Sequence, residues 1–144
     1  MRYRLFIITG LLVSLVGFIG CATLKDYKAK TAEEEGIKTT LFKFYEARNN
    51  YDVDGFLSVF HEDAKIMIGG RESMVLSKKQ CSEYLPTYFG SASQIELGSP
   101  KMNVRGDEAT VRMPLRIIEF GLNLQMVMEL VRENGKWYIL SSRY

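Results

Sequence analysis

The chain has 144 residues, 47% of them hydrophobic and 25% charged, with a formal net charge of +2. That length bounds the folded part to one domain, and that balance excludes a disordered chain. Lys and Arg are scattered rather than clustered, so no basic face for nucleic acid is present. The opening segment is a separate object. Arg2 and Arg4 precede the uncharged run Leu5 to Thr23, which is the pattern of a secretory signal. Removing Arg2 and Arg4 brings the 19 basic residues level with the 17 acidic ones, so the mature chain is close to neutral.

Within that run, Phe18-Ile19-Gly20-Cys21 resembles the cleavage box of bacterial lipoprotein signals. The resemblance implies cleavage before Cys21, a diacylglycerol on its thiol and an acyl chain such as palmitate on its new amine. Leucine usually stands three before that cysteine, and Phe18 departs from it. Ala22 and Thr23 carry no aspartate of the inner-membrane retention kind. The expected location is thus the cell envelope, at an outer membrane facing the periplasm if the cell has one. Each buried acyl methylene contributes about 0.8 kcal/mol, so several chains suffice as an anchor. A single transmembrane span and a cleaved soluble protein are the alternatives. The expected organisation is a signal at 1–20, a tether at 21–32 and a domain at 33–144. With Cys21 lipidated, Cys81 is left without a partner in the chain, and its neighbours Lys79, Gln80 and Ser82 offer no base to activate it.

The polar stretch from Lys25 to Glu35 leads into a long helix. Glu33, Glu34 and Glu35 suit its amino terminus, while Gly36 would allow it to start later. Ile37, Leu41, Phe44 and Tyr45 form one apolar stripe, ended by Asn49 and Asn50. Asp52 is placed to cap a short helix over Val53–Phe60. From Ala64 to Ile68 the period drops to two, which predicts a first strand. Gly69-Gly70 follows as a turn. Ser77 can cap a third helix, Lys78–Tyr88, with Leu85, Phe89 and Cys81 inward and Pro86 as a kink or a break.

The rest reads as antiparallel sheet. Gln94–Arg105 is a bent or bulged edge, interrupted by Gly98 and Pro100. After Gly106-Asp107, one face carries Ala109, Val111, Met113, Leu115 and Ile117, and the other carries Arg112 and Arg116. After Gly121, Leu124, Met126, Met128 and Leu130 share a face. Asn134-Gly135 predicts a hairpin. Lys136–Ser142 is the last strand, with Trp137 and Ile139 opposite Tyr138 and Leu140.

In order and spacing, several pieces resemble the nuclear transport factor 2-like superfamily, which includes SnoaL-like polyketide cyclases and ketosteroid isomerases. They are Tyr45-Glu46-Ala47, Asp52-x-Asp54-Gly55-Phe56-Leu57, Phe60-His61-Glu62-Asp63-Ala64, Gly106-Asp107-x-Ala109-Thr110-Val111, and Val131-Arg132-Glu133-Asn134-Gly135-Lys136-Trp137-x-Ile139. The resemblance covers roughly residues 33 to 144. It implies an α+β cone, with about three N-terminal helices packed on a strongly curved antiparallel sheet (a cystatin-like roll) around a deep apolar pocket. Members often dimerise through the outer sheet face, and Val127, Val131, Tyr138 and Leu140 are the apolar surface available for a homodimer.

The candidate pocket residues are Tyr45 and Phe60 from the first helical region and Tyr84 from the third helix. Met113, Met126, Met128 and Trp137 join them from the strands. In the isomerase branch a carboxylate near the end of the first strand acts as base. By position that residue is Ile68, which cannot accept a proton, and among the tyrosine candidates only Tyr45 has a hydroxyl. Glu119 is a place to look for the later acid but lies near a hairpin. Tyr45 and His61 are therefore the weak catalytic candidates. Adjacent His61, Glu62 and Asp63 point apart, so no metal site is expected. Arg112 and Arg116 are placed outside; turned inward, they would form an anion pocket with Tyr45 or Tyr84. No glycine-rich loop opens a helix, and no cofactor is implied. The expectation is a lipid-anchored protein that binds a small apolar ligand or a protein partner, without nucleic acid. An enzyme of the cyclase, isomerase or hydrolase kind and a structural subunit of an envelope complex stand as alternatives.

Overall fold

The computed structural model describes residues 22–69 and 74–144. The signal segment, Cys21 and Gly70 lie outside those residues. Helix α1 spans Ala32–Asn49, and Thr31 caps it by accepting the Glu34 N–H at 3.1 Å. It thus starts four residues before Gly36 and runs through it. A Cβ at Gly36 would lie 2.8 Å from Trp137 Cδ1, so the glycine opens the space that the indole occupies. The helix ends where Asn50 donates to Glu46 and the Asp52 N–H to Ala47, with Tyr51 left-handed at φ 57°. Asp52 then caps α2, Val53–Ser58, by accepting the Gly55 N–H at 3.0 Å.

Strand β1 is Phe60–Ile68. It begins four residues earlier than its alternation indicates, so Phe60 belongs to the sheet and not to the short helix. The reason is an irregularity in its ladder between Phe60 and Lys65, which breaks the period of two. Strand β2, Met74–Ser77, pairs antiparallel with β1. The sequence gives no sign of it, because its residues are mostly exposed and carry no alternation. Helix α3, Lys78–Phe89, opens on a capping box between Ser77 and Gln80 and continues unbroken past Pro86.

The remaining strands are β3 (Ile95–Leu97), β4 (Lys101–Arg105), β5 (Glu108–Ile117), β6 (Leu122–Glu133) and β7 (Lys136–Arg143). Among the described residues they form one seven-stranded sheet in the order β2-β1-β7-β6-β5-β3, with β4 also on β5. The β1–β7 pair is parallel; the others are antiparallel. The predicted bent edge is two strands on one partner: Leu97 faces Leu115 and Lys101 faces Arg112, leaving one extra residue between. At Gly98 a Cβ would lie 2.8 to 2.9 Å from the Pro114 ring.

The fold is therefore α+β, with helices packed on a curled sheet that does not close. Two polar ties position α1. Thr40 Oγ1 donates to the Trp137 carbonyl at 2.8 Å. Asn49 acts as a substitute strand for β3: its Nδ2 donates to the Ile95 carbonyl and its Oδ1 accepts the Ile95 N–H, both at 2.8 Å. Within the stretch read as a tether, residues 22–24 pair with the edge of the sheet. The Leu24 N–H donates to the Leu97 carbonyl, the Ser99 N–H donates to the Ala22 carbonyl, and the Leu24 side chain is buried in the core. No helix among the described residues is long and apolar enough to cross a membrane.

Candidate functional site

Between the helices and one end of the sheet lies a cavity of about 200 Å³. Its walls follow from the stripe of α1. Ile37, Leu41, Phe44 and the next position on that face, Arg48, are all buried. Phe44 and Arg48 reach the cavity, joined by Phe56 of α2 and Tyr88 of α3. The sheet side is apolar, with Ile95, Leu115, Ile117 and Met126, and Ile68 closes the end of β1.

The fourth side depends on a register shift. In β7, Glu129 faces Ser141 and Leu130 faces Ile139, so β7 carries one extra residue there. Trp137 and Ile139 point into the core ahead of the shift; beyond it the parity reverses and Ser142 is buried. Ser142 and Tyr144 thereby reach the cavity, and the Tyr144 hydroxyl donates to the Gly69 carbonyl. Partial burial pushes the Tyr144 phenol, which remains 38% exposed, above its usual range; the Tyr88 phenol adds to this and Arg48 opposes it.

Arg48 is 8% exposed. Its guanidinium lies 5.4 Å from the Tyr88 ring centre and 5.6 Å from that of Phe89, and Nη2 donates to the Tyr88 hydroxyl at 3.5 Å. Nη1 is buried with no hydrogen-bond partner. Among the described residues no carboxylate pairs with this cation. Its place in the last turn of α1 gives a favourable interaction with the helix dipole of about 0.3–1 kcal/mol, and each aromatic ring adds a comparable amount. A buried unpaired charge costs several kcal/mol, so these contacts offset only part of it.

Of the expected pocket residues, the cavity includes Met126. Met113 and Met128 have the predicted parity but sit further along their strands, fully buried among filling side chains. Phe60 packs on Phe44 at 6.1 Å and on Phe56 at 5.1 Å, in the layer behind those two cavity rings. Trp137 is buried beneath Gly36. Tyr45 packs against Phe42 at 6.1 Å, and Tyr84 stacks on Tyr88; neither reaches the cavity. These six lie outside the cavity: Tyr45 and Tyr84 sit at helix positions that pack elsewhere, and the four strand residues differ from Met126 in depth. Alternation tells which face a residue occupies, not how far along the sheet the helices close down on it.

His61 lies outside the cavity, in the contact network at the start of β1. Its Nδ1 accepts the Asp63 N–H at 3.1 Å, so Nε2 carries the proton that is donated to Glu133 at 2.7 Å. Both nitrogens are engaged, which leaves no free lone pair for a general base. Glu62 pairs with Lys78 at 2.7 Å instead of joining His61. No group of His, Cys, Asp and Glu that could hold a metal ion occurs among the described residues. Arg112 and Arg116 are exposed on the outer face, where Arg116 meets Glu96 at 3.6 Å. The cation in the cavity is Arg48, which the sequence reading passed over. On the outer face Val127 is buried, and Val131, Tyr138 and Leu140 are half-buried. Ser93 lines the cavity and its hydroxyl donates to Glu119.

Residues 29–143 match the family described as the SnoaL-like domain. The chain belongs to the SnoaL-like family. Solved structures with the same fold include an NTF2-like protein of unknown function from Shewanella baltica OS155. It is 17% identical, with a TM-score of 0.64, over 81% of this chain and 94% of that one. A protein with a cystatin-like fold from Nostoc punctiforme is 17% identical, with a TM-score of 0.62, over 78% and 90% of the two chains. At these identities the likeness is one of fold. No curated protein matches the chain. Ile68, the position that the resemblance implies for a base, lines the cavity with an aliphatic side chain.

Proposed function

We infer that this SnoaL-like domain is a binding protein that takes a small, largely apolar ligand into its cone without transforming it. The observation that supports this most is the wall of the cavity: aromatic and aliphatic side chains, hydroxyls and one guanidinium, with no carboxylate or imidazole among the described lining residues. General acid–base work near neutral pH needs a group whose protonation changes there, and the Tyr144 phenol is pushed upward, away from that range. The volume sets the ligand's size. A cavity of about 150 Å³ accepts benzene, so about 200 Å³ suits one ring with a small substituent.

The test is a thermal-shift titration of the full chain with benzyl alcohol, repeated on Ala92→Phe, which places a ring into the cavity from the loop after α3. The expected result is a concentration-dependent rise in Tm that the substitution abolishes. No rise in the unsubstituted protein, with benzyl alcohol or with benzoate, refutes the reading. We further infer anchoring through Cys21 at the cell envelope, on the strength of the Phe18–Cys21 box. Mass spectrometry of the mature amino terminus tests it: an acylated Cys21 supports it, and a chain still beginning before that residue overturns it.

A further inference from the structure

We propose that the ligand is an anion, a small aromatic or branched aliphatic carboxylate whose charged end is held by Arg48 and whose apolar body fills the space between Phe44, Phe56 and Met126. The inference rests on the binding reading above and narrows it. Its basis is the state of one side chain. Arg48 occupies the apolar stripe of α1, is more than nine-tenths buried, lines the cavity and leaves Nη1 without a partner.

A guanidinium presents paired donors that match a carboxylate in two parallel hydrogen bonds. Here Nη2 is held weakly by the Tyr88 hydroxyl at 3.5 Å, and Nη1 has no partner. The rings of Tyr88 and Phe89 flank the group, with centres 5.4 and 5.6 Å from its carbon. Nη1 is closed off from the cavity as it stands, so binding includes a turn of the guanidinium away from the Tyr88 hydroxyl that brings Nη1 and Nη2 to the incoming carboxylate. The hydroxyls of Tyr88 and Ser142 stand on the same wall as further donors. A charge desolvated in advance loses little more on binding, so its interaction with an anion is strong in this low-dielectric space. Phosphate and sulfate are less suited, because most of the wall is aromatic and aliphatic.

The experiment is calorimetric titration of the full chain with benzoate and with neutral benzyl alcohol, in the unsubstituted protein, in Arg48→Met and in Arg48→Lys. Benzoate is expected to bind the unsubstituted protein roughly tenfold to a hundredfold more tightly than benzyl alcohol, the worth of one charged hydrogen bond. Arg48→Met removes that preference while keeping benzyl alcohol, and Arg48→Lys keeps part of it. Unliganded Arg48→Met is expected to melt at the same temperature or higher, since an uncompensated buried charge is gone. A melting temperature that falls assigns Arg48 to the framework and overturns the proposal. Equal affinity for the two ligands in the unsubstituted protein also overturns it, whether or not the variants fold, and leaves the binding reading standing. Binding of neither refutes both.

Discussion

The interior of this cone has a filled end and a hollow end, built on the same strands. In β5 and β6, Val111, Met113, Met128 and Leu130 fill the first, while Leu115, Ile117 and Met126 open onto the second. Met113 and Met126 are direct cross-strand partners, yet only Met126 meets the cavity. What separates the ends is not hydrophobicity but cover. At the filled end Gly36 lets α1 settle onto Trp137. At the hollow end a buried arginine stands in the same stripe and lines the space.

The sharpest way to break this comparison is truncation at matched depths. Phe60→Ala, behind the cavity rings, is expected to cost about 3–5 kcal/mol by urea unfolding, and Met128→Ala about 2–5 kcal/mol. Met126→Ala should cost only about 1–2 kcal/mol, because its side chain already faces empty space on one side. Equal losses at Met126 and Met128 would mean the hollow is filled in solution. Asn49→Ala is next, at about 1–3 kcal/mol, since it strands the Ile95 backbone groups and loosens one cavity wall. Gly36→Ala should cost a similar or smaller amount, about 1–3 kcal/mol of overpacking against Trp137, partly offset by about 1 kcal/mol of helix propensity. The smallest effect is expected at His61→Gln, about 1 kcal/mol or less, because its partner Glu133 is largely in water.

A pH series sharpens the same contrast. Cys81 is fully buried and burial pushes its thiol up to about 11, from an unfolded value near 9. The folded state holds the proton more tightly, so this contribution is complete below pH 9 and is lost as pH rises toward 11. Tyr144, at the hollow end, is also shifted upward and acts in the same direction from its ordinary value of about 10. The unfolding free energy should therefore be flat between pH 7 and 8.5 and fall above pH 9. In Cys81→Ala the decline should begin about one unit later. A slope unchanged by that substitution would contradict the assignment.

Much of the frame was legible. The α1 stripe, the Asp52 and Ser77 caps, the Asn134-Gly135 hairpin and the inward parity of β5 and β6 follow from local chemistry, and the order of motifs carried the family. Three features were not. Strand β2 is short and mostly exposed, with only Leu76 half-buried, so it has no alternation to read. The extra residue in β7 reverses parity without a glycine or proline to mark it, which hid Ser142 and Tyr144. Arg48 did leave a sign: it falls four after Phe44 and seven after Leu41, a charge at an apolar position. Reading it as an interruption of the stripe, rather than as the stripe's end, would have located the cavity.

The Tyr144 hydroxyl, clasped to the Gly69 carbonyl, has a practical consequence for anyone purifying this protein. A polyhistidine tail fused directly after that residue would start at the rim of the cavity, with its imidazoles within reach of the lining. Ligand screens should use untagged protein, or one whose tail has been cleaved without remnant, before a negative result is believed.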